Sequence, residues 1–198
     1  MLEARELACL RGERAVFARV SFRLPSGAAL LLTGANGAGK SSLLRLLAGL
    51  LRPAAGTLLW EGGDALADRA GHARRLRYLS PQDALKPALT ARETLAFAAR
   101  LHGGAGDVDA ALDALGLLPL ADLAVRLFST GQRRRLALAR LALAPVPLWL
   151  LDEPTLGLDA AAVSRLGALL ARHRKGGGAV VAATHLPLPM PDAAELRL

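Results

Sequence analysis

Apolar residues along this chain follow two periods, one of alternating and continuous β-type runs and one of helical stripes, and the second interrupts the first. Residues 2–10 and 14–24 read as strands, the latter with Val16, Val20 and Phe22 as its β-formers. Pro25-Ser26-Gly27 makes a turn, and residues 28–34 (AALLLTG) form a fully buried strand ending at Gly34. Residues 40–51 (KSSLLRLLAGLL) read as a helix stopped by Pro53. Residues 56–60 read as a short strand closed by Glu61-Gly62-Gly63, and 74–81 as a strand ended by proline.

Between about Gln82 and Leu143 the pattern is helical. One helix starts at Thr90, with Glu93 three residues on as a capping-box partner; a second spans 107–118 after a glycine-rich bend; a third begins near Ser129. Strand character then returns at 147–154 (PLWLLDEP), followed by a helix over 160–174, a strand over 176–185 and an edge strand over 193–198. Strand–helix alternation broken by one helical block predicts an α/β domain: a parallel-sheet core (1–81 and 144–198) with a helical subdomain (82–143) inserted.

Composition changes this picture little. More than half of the 198 residues are hydrophobic, enough for a large core. The net charge of +8 comes mostly from arginines scattered in short runs, so a solvated basic surface is the reading and no nucleic-acid partner is expected. The single cysteine, Cys9, excludes an internal disulfide and reads as a small buried residue. Charges at Glu3, Arg5, Glu6, Arg11, Glu13, Arg14 and Arg19 exclude a signal peptide's apolar stretch, and no apolar run reaches membrane-span length, so a cytosolic or membrane-peripheral protein is expected. His72, His102 and His173 sit in no motif and read as surface residues. The polar amides are few: Asn36, Gln82 and Gln132 are the only ones, and all fall in motifs.

The motif that carries most chemistry is Gly34-Ala35-Asn36-Gly37-Ala38-Gly39-Lys40-Ser41, which fits G-x-x-x-x-G-K-[ST] between a buried strand and a helix, with Ser42 following. Such a loop turns consecutive backbone N–H groups toward a nucleotide's phosphates at a helix N-terminus. Lys40 adds a charge to the β- and γ-phosphates and Ser41 a hydroxyl to Mg²⁺. At the end of the apolar strand 147–154, Asp152 is placed to hold the Mg²⁺ shell and Glu153 to orient or deprotonate an attacking water.

Residues 128–143 (FSTGQRRRLALARLAL) resemble the signature of the ABC ATPases, with Ser129, Gly131 and Gln132 matching, Phe128 in place of leucine and Thr130 in place of a glycine. An ordinary N-capped helix accounts for Ser129 and the Leu–Ala pattern, but leaves Gln132 without a reason. The resemblance extends to Gln82 at the Q-loop, to residues 154–159 (PTLGLD) at the D-loop with Asp159, and to His185, which matches the switch histidine. It covers nearly the whole chain. It implies a RecA-like P-loop NTPase fold with an N-terminal antiparallel β subdomain and an inserted helical subdomain. It also implies ATP and Mg²⁺ as ligands, Gln82 near the metal or water, and a head-to-tail homodimer in which Ser129, Thr130, Gly131 and Gln132 of one copy complete the other's site. Where the family stacks adenine on an aromatic this chain has Arg11, whose planar guanidinium can stack on a base; Phe17 reads as core.

Within that family, residues 2–24, 33–60 and 184–188 (THLPL) look like the ATP-binding subunits of haem exporters in cytochrome c maturation. That likeness implies an integral membrane permease partner (CcmB-like, with other maturation proteins) and a place on the cytoplasmic face of a bacterial inner membrane. Two alternatives stay open: an ATPase serving another transporter, and a non-transport ABC ATPase acting on nucleic acid or the ribosome. The latter usually carries coiled-coil insertions or fused ATPase domains, and this sequence has neither.

Overall fold

The computed structural model describes residues 1–12, 14–101, 103–104 and 106–198. In chain order its strands are β1 (Leu2–Arg11), β2 (Arg14–Leu24), β3 (Ala29–Thr33), β4 (Ala55–Trp60), β5 (Gly63–Asp64), β6 (Leu76–Leu79), β7 (Leu148–Asp152), β8 (Ala179–Ala183) and β9 (Ala194–Arg197). The α-helices are α1 (Lys40–Leu47), α2 (Arg69–Arg74), α3 (Ala91–Leu101), α4 (Val108–Ala114), α5 (Thr130–Ala139) and α6 (Ala160–Lys175).

The strands form two sheets. An antiparallel sheet has the order β2-β1-β4-β5, and a wholly parallel one the order β6-β7-β8-β3-β9. Parallel strands joined by helical crossovers must be covered on both faces, and the apolar runs 28–34, 148–151 and 179–183 meet that need. Alternation then divides the core in two. Leu30, Leu32, Leu148, Leu150, Val181 and Ala183 face α1 and the antiparallel sheet. Trp149, Leu151, Val180 and Ala182 face α3, α4, α5 and α6, whose Leu95, Leu112, Leu136, Leu138 and Leu166 complete that side. The helical segment thus shares one apolar cluster with a face of the parallel sheet. Because those strands run the same way, the segments after β3, β6, β7 and β8 all emerge at one edge of the sheet.

Caps mark the helix starts. Thr90 and Glu93 form the expected reciprocal pair, Glu93 N donating to Thr90 Oγ1 at 3.1 Å and Thr90 N to Glu93 Oε2 at 2.8 Å. Asp107 caps α4, accepting from Ala110 N at 3.0 Å. Several boundaries differ from the sequence reading, the strand expected over 176–185 shrinking to Ala179–Ala183 among them. The helix expected over 40–51 ends at Leu47, since Gly49 turns to φ +73°. The helix expected over 107–118 ends at Ala114, before Gly116 at φ +66° and a 3₁₀ turn at Leu118–Leu120. The strand expected over 74–81 shrinks to Leu76–Leu79, because α2, capped by Asp68, occupies the residues before it.

The histidines need correcting. His72 is fully buried: its Nε2 donates to Leu47 O at 2.8 Å, satisfying a carbonyl that α1 leaves open at its C-terminus. His173 is half-buried and stacks on Trp149 with ring centroids 3.7 Å apart. Burial holds its pKa below the usual histidine value. His102 lies outside the described residues. Cys9 and Phe17 are buried as expected.

Candidate nucleotide site

The loop between β3 and α1 wraps tightly. Gly34 takes φ +133° and Gly39 φ +106°, and neither has room for a side chain. A Cβ on Gly34 would stand 2.7 Å from Leu198 O, and one on Gly39 2.7 Å from Val16 Cγ1. Gly39 is also the N-cap of α1, so the loop's amides and the helix N-terminus converge. Lys40 is buried and lies back over this loop, its Nζ donating to Gly34 O at 2.7 Å and Ala35 O at 3.0 Å. A phosphate in the curl would meet the ammonium and the amides together.

Across from the loop, Ser41 Oγ donates to Asp152 Oδ1 at 3.1 Å and Tyr78 Oη to Asp152 Oδ2 at 3.5 Å. Burial pushes the Asp152 carboxyl above the ordinary carboxylate value, and the Ser41 hydrogen bond partly counters it. A cation beside Asp152 would relieve that burial cost. The donors present, a hydroxyl and one carboxylate, are hard oxygens of the kind Mg²⁺ takes together with phosphate oxygens. Among the described residues no cluster of three or more His, Cys, Asp or Glu side chains could hold a metal without such help.

Glu153 stands in a left-handed backbone conformation (φ +48°), uncommon for a non-glycine residue. Its N–H still donates to Ala183 O at 2.8 Å, so the β7–β8 ladder runs on through the kink. The carboxylate turns toward His185: Oε2 accepts from His185 N at 3.3 Å, and Oε1 lies 3.5 Å from His185 Nε2. Thr184 fixes the histidine's loop, its Oγ1 donating to Leu186 O at 3.1 Å and accepting from Leu186 N at 3.0 Å.

These groups line one cavity of about 930 Å³, which holds Arg11, Asn36, Gly37, Gly39, Lys40, Ser41, Ser42, Asp152, Glu153 and His185, with Arg14 beside Arg11. Gln82 follows β6 on the same sheet edge, yet its side chain is exposed and outside the cavity lining. Ser129, Thr130, Gly131 and Gln132 lie away from it too. Ser129 and Gln132 form a capping box on α5, with Gln132 N donating to Ser129 Oγ at 3.2 Å and Ser129 N to Gln132 Oε1 at 2.8 Å. Gln132, unexplained by a plain helix in the sequence, therefore has a structural task. Asp159 caps α6, accepting from Ala162 N at 2.7 Å. Gly131 backs against the loop before α6: a Cβ there would come within 3.0 Å of Gly157 O.

The ABC transporter family profile matches residues 17–156. Two relatives, each a "Cytochrome c biogenesis ATP-binding export protein CcmA", span nearly the whole chain. One, from Rhodospirillum rubrum, is 56% identical over 98% of this chain and 83% of its own length. The other, from Paramagnetospirillum magneticum, is 52% identical over 98% and 92%. The chain belongs to the ABC transporter family, in its CcmA group. It is an ABC-type ATPase subunit. The fold agrees with two solved structures. The ATP-binding subunit of an ABC transporter aligns at TM-score 0.84 and 26% identity, over 94% of this chain and 80% of that one. The ATP-binding cassette MJ0796, a dimer in a post-hydrolysis state bound to ADP and Pi, aligns at 0.82 and 24%, over 94% and 88%.

Reasoning from sequence missed several residues of this ABC subunit's site region: Tyr78 on Asp152, Thr184 in the loop of His185, Arg14 in the cavity lining, and Arg134. Arg134 on α5 is buried and donates to the backbone carbonyls of both Asp152 and Glu153. The signal was present in its spacing: Leu138 and Leu141, four and seven residues later, are both buried, so a helical stripe puts Arg134 among core positions.

Proposed function

We propose that this subunit hydrolyses MgATP to drive an export step in cytochrome c biogenesis, docked on an integral membrane permease of the CcmB kind at the cytoplasmic face of a bacterial inner membrane. The names of its close relatives support the export and cytochrome c assignments. The step served is ATP-driven haem delivery or release of a haem chaperone. No helix among the described residues is long and apolar enough to cross a membrane, in keeping with a separate membrane partner.

The observation that carries the reading is the single cavity uniting Lys40, Ser41, Asp152, Glu153 and His185. Backbone amides and Lys40 hold the phosphates there. Ser41 and Asp152 hold Mg²⁺, which when bound neutralises charge on the phosphate oxygens. Glu153 accepts the proton of an in-line water, and His185, within reach of Glu153 Oε1, steadies the γ-phosphate end. Arg11, in the cavity lining, meets the base, and Gln82 senses the metal or water once its loop turns inward. Ser129, Thr130, Gly131 and Gln132 serve the ATP of a second copy in a head-to-tail dimer, and Asp159 is the acidic residue of the D-loop.

The test is Glu153→Gln. It should bind ATP with near-normal affinity, hydrolyse it at least about 100-fold more slowly and accumulate as an ATP-bound dimer in light scattering. Normal turnover removes Glu153 from the chemistry. For the export assignment, a strain lacking this subunit should lose covalently haem-attached cytochromes c and regain them with the wild-type chain but not with Lys40→Ala. Rescue by Lys40→Ala would refute ATP as the driver.

A further inference from the structure

Arg134 makes four hydrogen bonds from the core. Its Nη2 donates to Asp152 O at 2.9 Å and to Glu153 O at 2.6 Å. Its Nη1 donates to Ser80 O and to Asp83 Oδ1, both at 3.0 Å, on either side of Gln82. Arg140, six residues further along, adds Nη2 to Asp83 O at 2.6 Å. The two carbonyls that Nη2 grips belong to the two peptide planes flanking the Glu153 Cα. Fixing both planes fixes φ and ψ of Glu153, and with them the direction in which its carboxylate leaves the backbone. That is the residue whose left-handed φ needs outside support. Arg134 stands on the helix that Ser129 caps, five residues on.

We propose that Arg134 is a positioning residue for Glu153, tying the placement of the helix that begins at Ser129 to the aim of the catalytic carboxylate and to the loop carrying Gln82. The inference rests on Glu153 activating the attacking water. Through this guanidinium the helix that meets one copy's ATP sets the readiness of the carboxylate that activates water at the other ATP. A planar fork does this and an ammonium does not, since one nitrogen must reach two carbonyls while the other spans the Ser80–Asp83 loop.

Arg134→Lys keeps the buried charge opposite Asp83 and loses the fork. Its kcat for ATP should fall about 10- to 100-fold, the scale of a misplacement near 1 Å, while the Kd for a fluorescent ATP analogue changes less than about threefold at full binding stoichiometry. The decisive measurement is the cycle with Glu153→Gln: in that background the Arg134 substitution should add less than about a twofold loss, because its effect runs through the carboxylate. A role confined to packing predicts losses that multiply, and multiplication overturns the inference, as does unchanged kcat in Arg134→Lys. Should the lysine variant not fold, Arg134→Gln is read by the same cycle. A wild-type chain without ATPase activity, or a Glu153→Gln variant that turns over normally, would instead sink the reading of Glu153.

Discussion

The left-handed backbone at Glu153 makes a prediction opposite to the usual effect of glycine. In strands and helices a glycine costs about 0.5–1 kcal/mol relative to alanine. At φ +48° the balance reverses. A β-carbon in this region is strained by about 1–2 kcal/mol, and glycine gives back roughly 0.4–1 kcal/mol of that through the greater entropy of its unfolded chain. Glu153→Gly should therefore be more stable than Glu153→Ala by about 0.5–1 kcal/mol, or about 1–4 °C in melting temperature for a domain of this size. The pair is chosen because both variants lose the same carboxylate, including its acceptor contact with His185 N at 3.3 Å, so that loss cancels. The assay is thermal or urea unfolding without nucleotide at pH 7.5, with ATP turnover, absent in both, as the check on identity. Were the alanine variant equal to or more stable than the glycine one, the strain at Glu153 would not exist, and the need for Arg134 to hold its peptide planes would go with it.

Much of this site was legible because its residue types are rare for the chain or fixed by geometry. Gly34 to Ser41 stood out for a lysine in a chain with few, and the apolar run before Asp152 and Glu153 marked a strand buried on both faces. The caps at Thr90 and Ser129 were equally readable, since a short polar acceptor before a helical stripe has one common purpose. What escaped was of two kinds. Short elements such as α2, six residues with Gly71 inside, give no periodicity to read, so the burial of His72 beneath the end of α1 was hidden too. Arg134 was masked by composition: as the middle of three arginines in an arginine-rich chain, it looked like surface charge, although its helical phase with Leu138 and Leu141 said otherwise.

Three further outcomes are expected. Gly39→Ala places a Cβ 2.7 Å from Val16 and 3.0 Å from Phe17 at a φ of +106°, and should weaken ATP binding about tenfold or more by displacing the loop; fluorescent-nucleotide titration reads this. Gln132→Ala breaks the capping box and should cost about 1 kcal/mol of stability, seen as a lower melting temperature even without nucleotide. For Asp152, whose carboxyl burial raises above its unfolded value, the protonated form favours the fold. That contribution is complete below about pH 4, near the unfolded value, and is lost as pH rises through the native pKa. Asp152→Asn should therefore gain melting temperature relative to wild type between pH 4.5 and pH 7.5 while losing ATPase activity, and a difference that is flat or falling over that range would contradict the burial argument.

The way the helical segment is joined to the sheet bears on how force could pass through this subunit. If residues 82–143 packed as an independent body, the segment could turn while the Asp152–Glu153 end of β7 stayed still. The seam as a whole, apolar contact together with the hydrogen bonds at its end, does not allow that freedom. Leu95, Leu112, Leu136 and Leu138 pack in the same cluster as Trp149 and Leu151 of β7, so an apolar contact runs from the helices to the strand that ends in Asp152 and Glu153. Apolar packing resists separation but tolerates sliding, because it has no preferred direction. Hydrogen bonds do have one, and those of Arg134 and Arg140 lie at the end of that seam, holding Ser80, Asp83, Ala84, Asp152 and Glu153. A small turn of α5 would slide over the core at little cost, yet it would pull directly on the peptide planes of Glu153 and on the loop of Gln82. The seam is therefore soft where it is apolar and stiff where it meets the chemistry, which is the arrangement an ATPase needs if a displacement on its helical side is to change the rate at its phosphate.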